Sequence, residues 1–218
     1  MYIDIHSHNL TKADNILEIQ NMFLQDERIV EGYFSVGLHP WHISEDSDII
    51  VERIEGFTHQ NGLLAIGEIG LDKNIDIPLI DQLSILNEQL FISENYKLPV
   101  ILHIVKAYSE ILKLRVENNF SQPWIIHGFV KKLELAKQMI DKGFYLSFGT
   151  ALFKDNSNAS VVFSKVDLSK VFLETDNNSD YTISEIYERA AIVKGVEVEE
   201  IVKQIENNFI EVFKKYRR

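Results

Sequence analysis

Short, almost unbroken apolar runs recur along the chain at residues 2–5, 32–36, 63–66, 100–102, 124–126, 144–148 and 171–173. Runs this brief and this uniformly apolar predict parallel β-strands buried on both faces. Pro99 and Pro123 each stand at the head of a run, where a missing N–H harms the ladder least. The segments between follow another period. Ile80, Leu83, Leu86 and Leu90 recur at spacings of three and four behind Pro78, which predicts a helix with a proline-stiffened start. Leu133, Ala136 and Ile140 repeat the pattern, with Gly143 placed to end that helix. Near the C-terminus Val198, Ile201, Val202, Ile205, Phe209, Val212 and Phe213 trace one apolar stripe with charges opposite. The polar residues 154–160 predict a surface loop or the start of a helix.

Strand–helix alternation over the whole chain argues for the α/β class and, with parallel strands, for a TIM-type (β/α) barrel. The 218 residues are enough for one domain with a large core, though somewhat short for eight full units. No strand pattern follows Asp176. The expectation is therefore a barrel of seven or eight strands, irregular near the C-terminus. No repeat, linker or low-complexity stretch divides the chain, so residues 1–218 read as a single domain.

Composition narrows the partners. No apolar run approaches the roughly 20 residues needed to cross a bilayer, and the N-terminal residues lack the features of a signal peptide. A cytoplasmic protein without a membrane partner is expected, and no protein partner is predictable. The absence of cysteine excludes disulfides and thiolate ligands, so any metal must be held by nitrogen and oxygen. The net charge of −11, from 22 basic and 33 acidic residues, repels nucleic acid unless local positive charge offsets it.

Bound dications would supply such charge, and six candidate ligands stand at or just after predicted strand ends. They are His6 and His8 in YIDIHSH, Glu68 in LLAIGEIGLD, His103 in PVILHI, His127 in PWIIHG and Asp176 in VFLETD. Side chains two apart on a strand point the same way, so His6 and His8 read as a ligand pair or as an ordinary polar strand end. Glu68 reads as a metal bridge or as a rim salt bridge, because a buried carboxylate needs a partner. His103 and His127 read as ligands or as hydrogen-bonded core histidines. What favours ligation is recurrence: these types fall at equivalent places on successive strands, and strand C-termini face the mouth of a barrel. Asp4 reads as a partner orienting a histidine or as a carboxylate bonded elsewhere, and Asp72 as a residue fixing its loop.

The segments DIHSH, GLHPW, AIGEIGLD, LPVILH, IIHGF, LETD and NNFIEVF together resemble the TatD family of metal-dependent hydrolases, in the amidohydrolase-like barrel superfamily. The resemblance spans nearly the whole chain. It implies a TIM-type barrel and one or two divalent ions (Zn, Mg or Mn) on His6, His8, Glu68, His103, His127 and Asp176. It also implies a deoxyribonuclease-like activity on phosphodiester bonds, often at DNA ends, with His39 of GLHPW helping to hold the substrate phosphate. Three departures stand out. The Ser-Arg-Asp stretch usual after the fourth-strand histidine is Ile104, Val105 and Lys106; CFSG after the next histidine is Gly128, Phe129, Val130 and Lys131; the segment after LETD is short.

The expected arrangement puts His6, His8 and Asp176 on one ion and His103 and His127 on the other, with Glu68 bridging. Glu68 and Asp176 are the expected catalytic carboxylates, Asp176 also accepting a proton. His39 and Lys106 are the expected substrate contacts, Lys106 replacing the missing arginine as a point charge or standing solvated in a helix's first turn. Trp41 reads as a stacking surface or a loop cap, and Lys131 and Lys132 as rim cations. The substrate is expected to be a DNA end or a small phosphoester. A phosphatase or lactone/amide hydrolase on the same centre, or a metal-binding protein without turnover, are the alternatives.

Overall fold

Strands apolar on both faces need a sheet covered by helices, and the computed structural model provides one closed into a barrel. It describes residues 1–9, 13–24 and 32–216. Eight parallel strands pair in sequence order: β1 (Tyr2–Ser7), β2 (Ile16–Phe23), β3 (Tyr33–Gly37), β4 (Leu63–Asp72), β5 (Val100–Val105), β6 (Trp124–Ile126), β7 (Tyr145–Phe148) and β8 (Val171–Leu173). The helices are α1 (Ser47–Phe57), α2 (Leu79–Tyr96), α3 (Tyr108–Glu117), α4 (Leu133–Asp141), α5 (Asn158–Lys165), α6 (Ile183–Lys194) and α7 (Val198–Val212). This is a TIM-type barrel. Among the described residues no helix is long and apolar enough to cross a membrane.

The eighth strand lies between the first two expected strands, not after Asp176. β2 is ILEIQNMF, and its polar residues Glu18, Gln20 and Asn21 break the continuous apolar run that marked the others. Its burial alternates instead, with Leu17 and Ile19 in the core and Glu18 and Gln20 half-buried. Among the described residues no helix stands between β1 and β3, so polar side chains are tolerated there. The polar stretch before α5 resolves as a loop whose Ser157 hydroxyl accepts from the Ser160 N–H and caps the helix.

The barrel seam between β8 and β1 is closed only at the mouth. Ser7 and Asp176 form an isolated bridge, with the Asp176 N–H donating to the His6 carbonyl at 2.9 Å and the His8 N–H to the Asp176 carbonyl at 3.0 Å. Deeper along the seam a side chain replaces the ladder. The Tyr187 hydroxyl of α6 accepts from the Ile3 N–H at 3.1 Å and donates to the Ile3 carbonyl at 3.0 Å. A capping box of Thr182 and Glu185 fixes where α6 starts, and Gly195 in the left-handed region ends it. The apolar stripe of α7 covers the same seam. Its buried Asn208 donates to the Leu168 and Val171 carbonyls at 2.7 and 2.8 Å, tying the helix to the start of β8.

Replacing Tyr187 by Phe keeps the ring and leaves both backbone groups of Ile3 without a partner. We expect a loss of about 1–3 kcal/mol, the usual cost of buried unsatisfied groups, read as a lower urea midpoint at unchanged slope. An unchanged midpoint would mean that the seam does not depend on this hydroxyl.

Candidate metal centre

The six expected ligands come together at the mouth. β1 delivers His6, with His8 just past its end, β4 delivers Glu68 and β5 His103, while His127 follows β6 directly and Asp176 stands three residues past β8. Glu68 is not at a strand end as expected, since β4 runs on to Asp72. The β4–β5 register shifts between Ile66 and Ile69, and the Glu68 N–H turns away from the ladder to donate to the Asn21 side chain at 2.8 Å. Gly70 makes the tight fit possible: at φ 156°, a Cβ there would collide with the His103 carbonyl.

The Glu68 carboxylate is only 5% exposed, and its oxygens face different neighbours. Oε2 lies 3.4 Å from His6 Nε2 and 3.6 Å from His8 Nε2. Oε1 lies 2.8 Å from His127 Nε2, 3.0 Å from His103 Nδ1 and 3.4 Å from His39 Nε2. Asp176 Oδ1 completes the first group, 3.6 Å from His6 Nε2 and 3.4 Å from His8 Nε2. Donors arranged tetrahedrally at about 2.0–2.2 Å from one ion stand roughly 3.3–3.6 Å apart, which matches the separations among His6, His8, Glu68 Oε2 and Asp176, whereas Oε1 sits at hydrogen-bond distance from His127 and His103. Both nitrogens of the fully buried His6 lack a hydrogen-bond partner. A cation would satisfy the one that faces the carboxylates, so the donor set fits a divalent ion. These His and carboxylate groups lie close enough together to hold a metal ion.

Electrostatics agree with that composition. Burial would raise Glu68, but the charge on His127 and bonds from His103, His127 and His39 hold its carboxyl well below the ordinary range. Burial likewise opposes ionisation of Asp176, and His6 and His8 outweigh it, leaving Asp176 lowered. Burial pushes His6 down, yet Asp176 and Glu68 reverse this and raise it to about 9. His127 is raised well above the usual imidazole range, where Glu68 and Glu174 outweigh burial. His39 is the exception, lowered by burial despite Glu68. Its Nδ1 accepts from the Trp41 N–H at 3.2 Å, so neutral His39 carries its proton on Nε2 and is a donor, not a ligand.

A surrounding layer orients the imidazoles. Asp72 Oδ2 sits 3.5 Å from His103 Nε2 and accepts from the Trp41 indole N–H at 2.8 Å, while Oδ1 accepts from the Asn74 N–H. Asp72 thus fixes its loop and faces a ligand as well. Glu174 Oε1 lies 3.5 Å from His127 Nδ1 and accepts from the Gly128 N–H at 2.6 Å. Such carboxylates set the tautomer and rotation of ligating histidines. Asp4, raised to about 7 by burial, is engaged by Thr175, whose hydroxyl donates at 2.6 Å, and so anchors the residue before Asp176.

The cavity above the cluster measures about 510 Å³; its walls include Phe23, His39, Trp41, His42 and Asn177. Among the described residues lining it there is no lysine or arginine. Lys106 is exposed in a left-handed turn between β5 and α3, away from these walls. Lys131 and Lys132 also lie outside them, with Lys131 near the Tyr108 ring. Sequence reasoning missed Asn21 and Phe23, because β2 was missed, and passed over His42, Glu174 and Asn177. Glu174 had a legible signal as a second carboxylate in LETD.

Comparison with known proteins agrees with this architecture. Residues 5–214 match the family described as TatD related DNase. The chain is 30% identical over 148 residues to the uncharacterized metal-dependent hydrolase YjjV of Escherichia coli K12, covering 66% of this chain and 57% of that protein. It is 29% identical over 219 residues to the uncharacterized metal-dependent hydrolase YcfH of the same strain, covering 93% and 80%. The crystal structure of YjjV, a TatD homologue, superposes with a TM-score of 0.76 at 25% identity over 84% of this chain and 76% of that one. A TatD family hydrolase from Entamoeba histolytica gives 0.78 at 16% identity over 99% and 98%. A barrel whose buried glutamate splits its oxygens between two histidine pairs, matched to the family profile over almost its whole length, makes this chain a member of the TatD-related DNase family.

Proposed function

We propose that the protein is a metal-dependent hydrolase cleaving phosphoester bonds, with phosphodiesters such as DNA ends or small nucleotide-like esters as substrates. The observation that carries this reading is the division of the Glu68 carboxylate, one oxygen toward His6 and His8, the other toward His103 and His127. His6, His8, Glu68 and Asp176 would hold one ion, and Glu68, His103 and His127 a second; Zn or Mn suits so many imidazoles better than Mg. When bound, such ions polarise phosphoryl oxygens and ease the deprotonation of water.

The chain's own groups complete the chemistry. His39 offers its Nε2–H to a non-bridging phosphate oxygen. Asp176, at 39% exposure the carboxylate closest to solvent, is ionised at neutral pH and takes the proton of the attacking water. Glu68 stays buried and fixes the centre. Asp72 and Glu174 hold His103 and His127 in register. The change of Ser-Arg-Asp to Ile104, Val105 and Lys106 removes a bidentate phosphate clamp and favours a small ester over a long polymer. A panel of single-stranded DNA, simple phosphoesters and carboxyl esters with Mg, Mn and Zn tests this: turnover of carboxyl esters alone would overturn the phosphoester reading.

Metal loading at pH 7 should release protons, because the metal-free site holds His6 and His127 protonated and ligation needs them neutral. The sign is fixed: affinity weakens as pH falls. Calorimetry in buffers of different ionisation enthalpy measures the release; zero net release would contradict the assigned ligands. Glu68→Ala should lower hydrolysis by about 10³-fold or more, several kcal/mol of lost charge stabilisation. It should also reduce bound metal by elemental analysis while circular dichroism stays native. Full metal-dependent turnover in this variant would remove Glu68 from the reaction.

A further inference from the structure

Trp41 is 59% exposed and lies on the wall of the cavity above the metal centre. An indole left this open to water is normally free to change rotamer. This one is held. Its Nε1–H donates to Asp72 Oδ2 at 2.8 Å, and its backbone N–H donates to His39 Nδ1 at 3.2 Å. Its ring stands edge-on to His39 and His103, with centroids 4.9 and 5.9 Å away. Asp72 is itself fixed, through the Asn74 N–H and through Gln82, whose side chain grips both the Asp72 N–H and carbonyl. The exposed aromatic surface is therefore pre-oriented by a buried carboxylate that also faces a proposed ligand.

A rigid open indole beside a polar centre gains stacking energy without an ordering cost. The other walls suit a flat guest. Phe23 and His42 meet edge to face at 5.1 Å, and His42 Nδ1 is buried without a hydrogen-bond partner. The volume of about 510 Å³ is that of a small-molecule pocket.

We propose that Trp41 is the stacking platform for an aromatic ring carried by the substrate, so the substrates are small phosphoesters bearing a nucleobase or an aryl group near the scissile phosphate. This rests on the phosphoester reading above and adds the substrate class. Trp41 makes it a matter of selectivity: it favours flat esters over alkyl esters of similar size, and His42 is placed to meet polar edges of the ring.

The test uses phosphonates, whose P–C bonds resist hydrolysis, and calorimetry on protein loaded with Zn or Mn. The ligands are phenylphosphonate, the methylenephosphonate analogue of adenosine monophosphate, and propylphosphonate. Wild type should bind at least one aromatic ligand more tightly than the propyl one, and that ligand should quench tryptophan fluorescence. Trp41→Ala should weaken it by roughly 5- to 150-fold, the range for lost base stacking, and erase the preference; Trp41→Phe should keep it. Preference for the adenosine ligand alone identifies a nucleobase, and preference for the phenyl ligand alone identifies a simple aryl ester. No aromatic preference in wild type, or equal weakening of all three ligands by Trp41→Ala, would overturn the platform. Turnover is scored separately: aromatic preference without hydrolysis of any phosphoester leaves the platform standing and sinks the phosphoester reading.

Discussion

The structure turns on one buried carboxylate. Glu68 lies inside the barrel with almost no access to water, and an ionised carboxylate there is tolerated only among compensating charges. Five imidazoles surround it, reaching its two oxygens from four different segments, with His127 acting through its charge and neutral His39 as a donor. The backbone yields to the same requirement. The β4 ladder loses register at Glu68, Asn21 of β2 takes up the stray amide, and Gly70 lets β4 close against β5 without a side chain in the way. The arrangement pairs carboxylates with histidines, and that pairing raises His6, His8 and His127. In the proposed function it would become a dication site when protons are exchanged for metal.

Fold and chemistry are joined at the barrel seam. β8 and β1 meet through Asp176, whose backbone bridges to His6 and His8 while its side chain faces their rings. A single residue thus closes the barrel and supplies a donor, held in the left-handed region at φ 56°. Thr175 before it is pinned to Asp4 of the first strand. Because the ligands straddle the seam, an ion bound there links first and last strands, and its binding energy adds to the stability of the folded state by mass action. Tyr187 and Asn208 hold the same seam from outside, so the two C-terminal helices support the centre without touching it.

Much of this was legible in the sequence, and the failures have physical causes. Buried parallel strands announce themselves as apolar runs, and seven were found with edges off by a few residues. β2 escaped because its outer face carries polar side chains, so it lacks the signature of burial on both faces. Asn21 and Phe23 were lost with it. Ligand types at strand ends were readable because position along a parallel strand maps onto height in the barrel. Residues acting behind the ligands were harder. Glu174 and Asp72 look like any acidic residue until a fold brings them within 3.5 Å of an imidazole. Lys106, read as a phosphate contact or as a solvated residue, lies exposed in a left-handed turn and does not line the cavity.

Charge explains why the cavity walls must decide what binds. The chain carries a net charge of −11, and at physiological ionic strength exposed charges are screened over about 8 Å. For the proposed anionic substrate, attraction would therefore have to come from the centre itself, at close range. In the proposed function, two dications offset by Glu68 and Asp176 would leave about two positive charges within the cavity, which would draw any phosphate alike and distinguish none of them. Discrimination then falls to groups that touch the rest of the ester. In that reading His39 would face the phosphate and be blind to what the phosphate carries. The cavity walls also include Phe23, Trp41, His42 and Asn177, and of these only Trp41 combines a large open surface with a fixed orientation. With Trp41 as the proposed stacking platform, affinity would come from the metal centre and selectivity from a ring that the same network of carboxylates holds still.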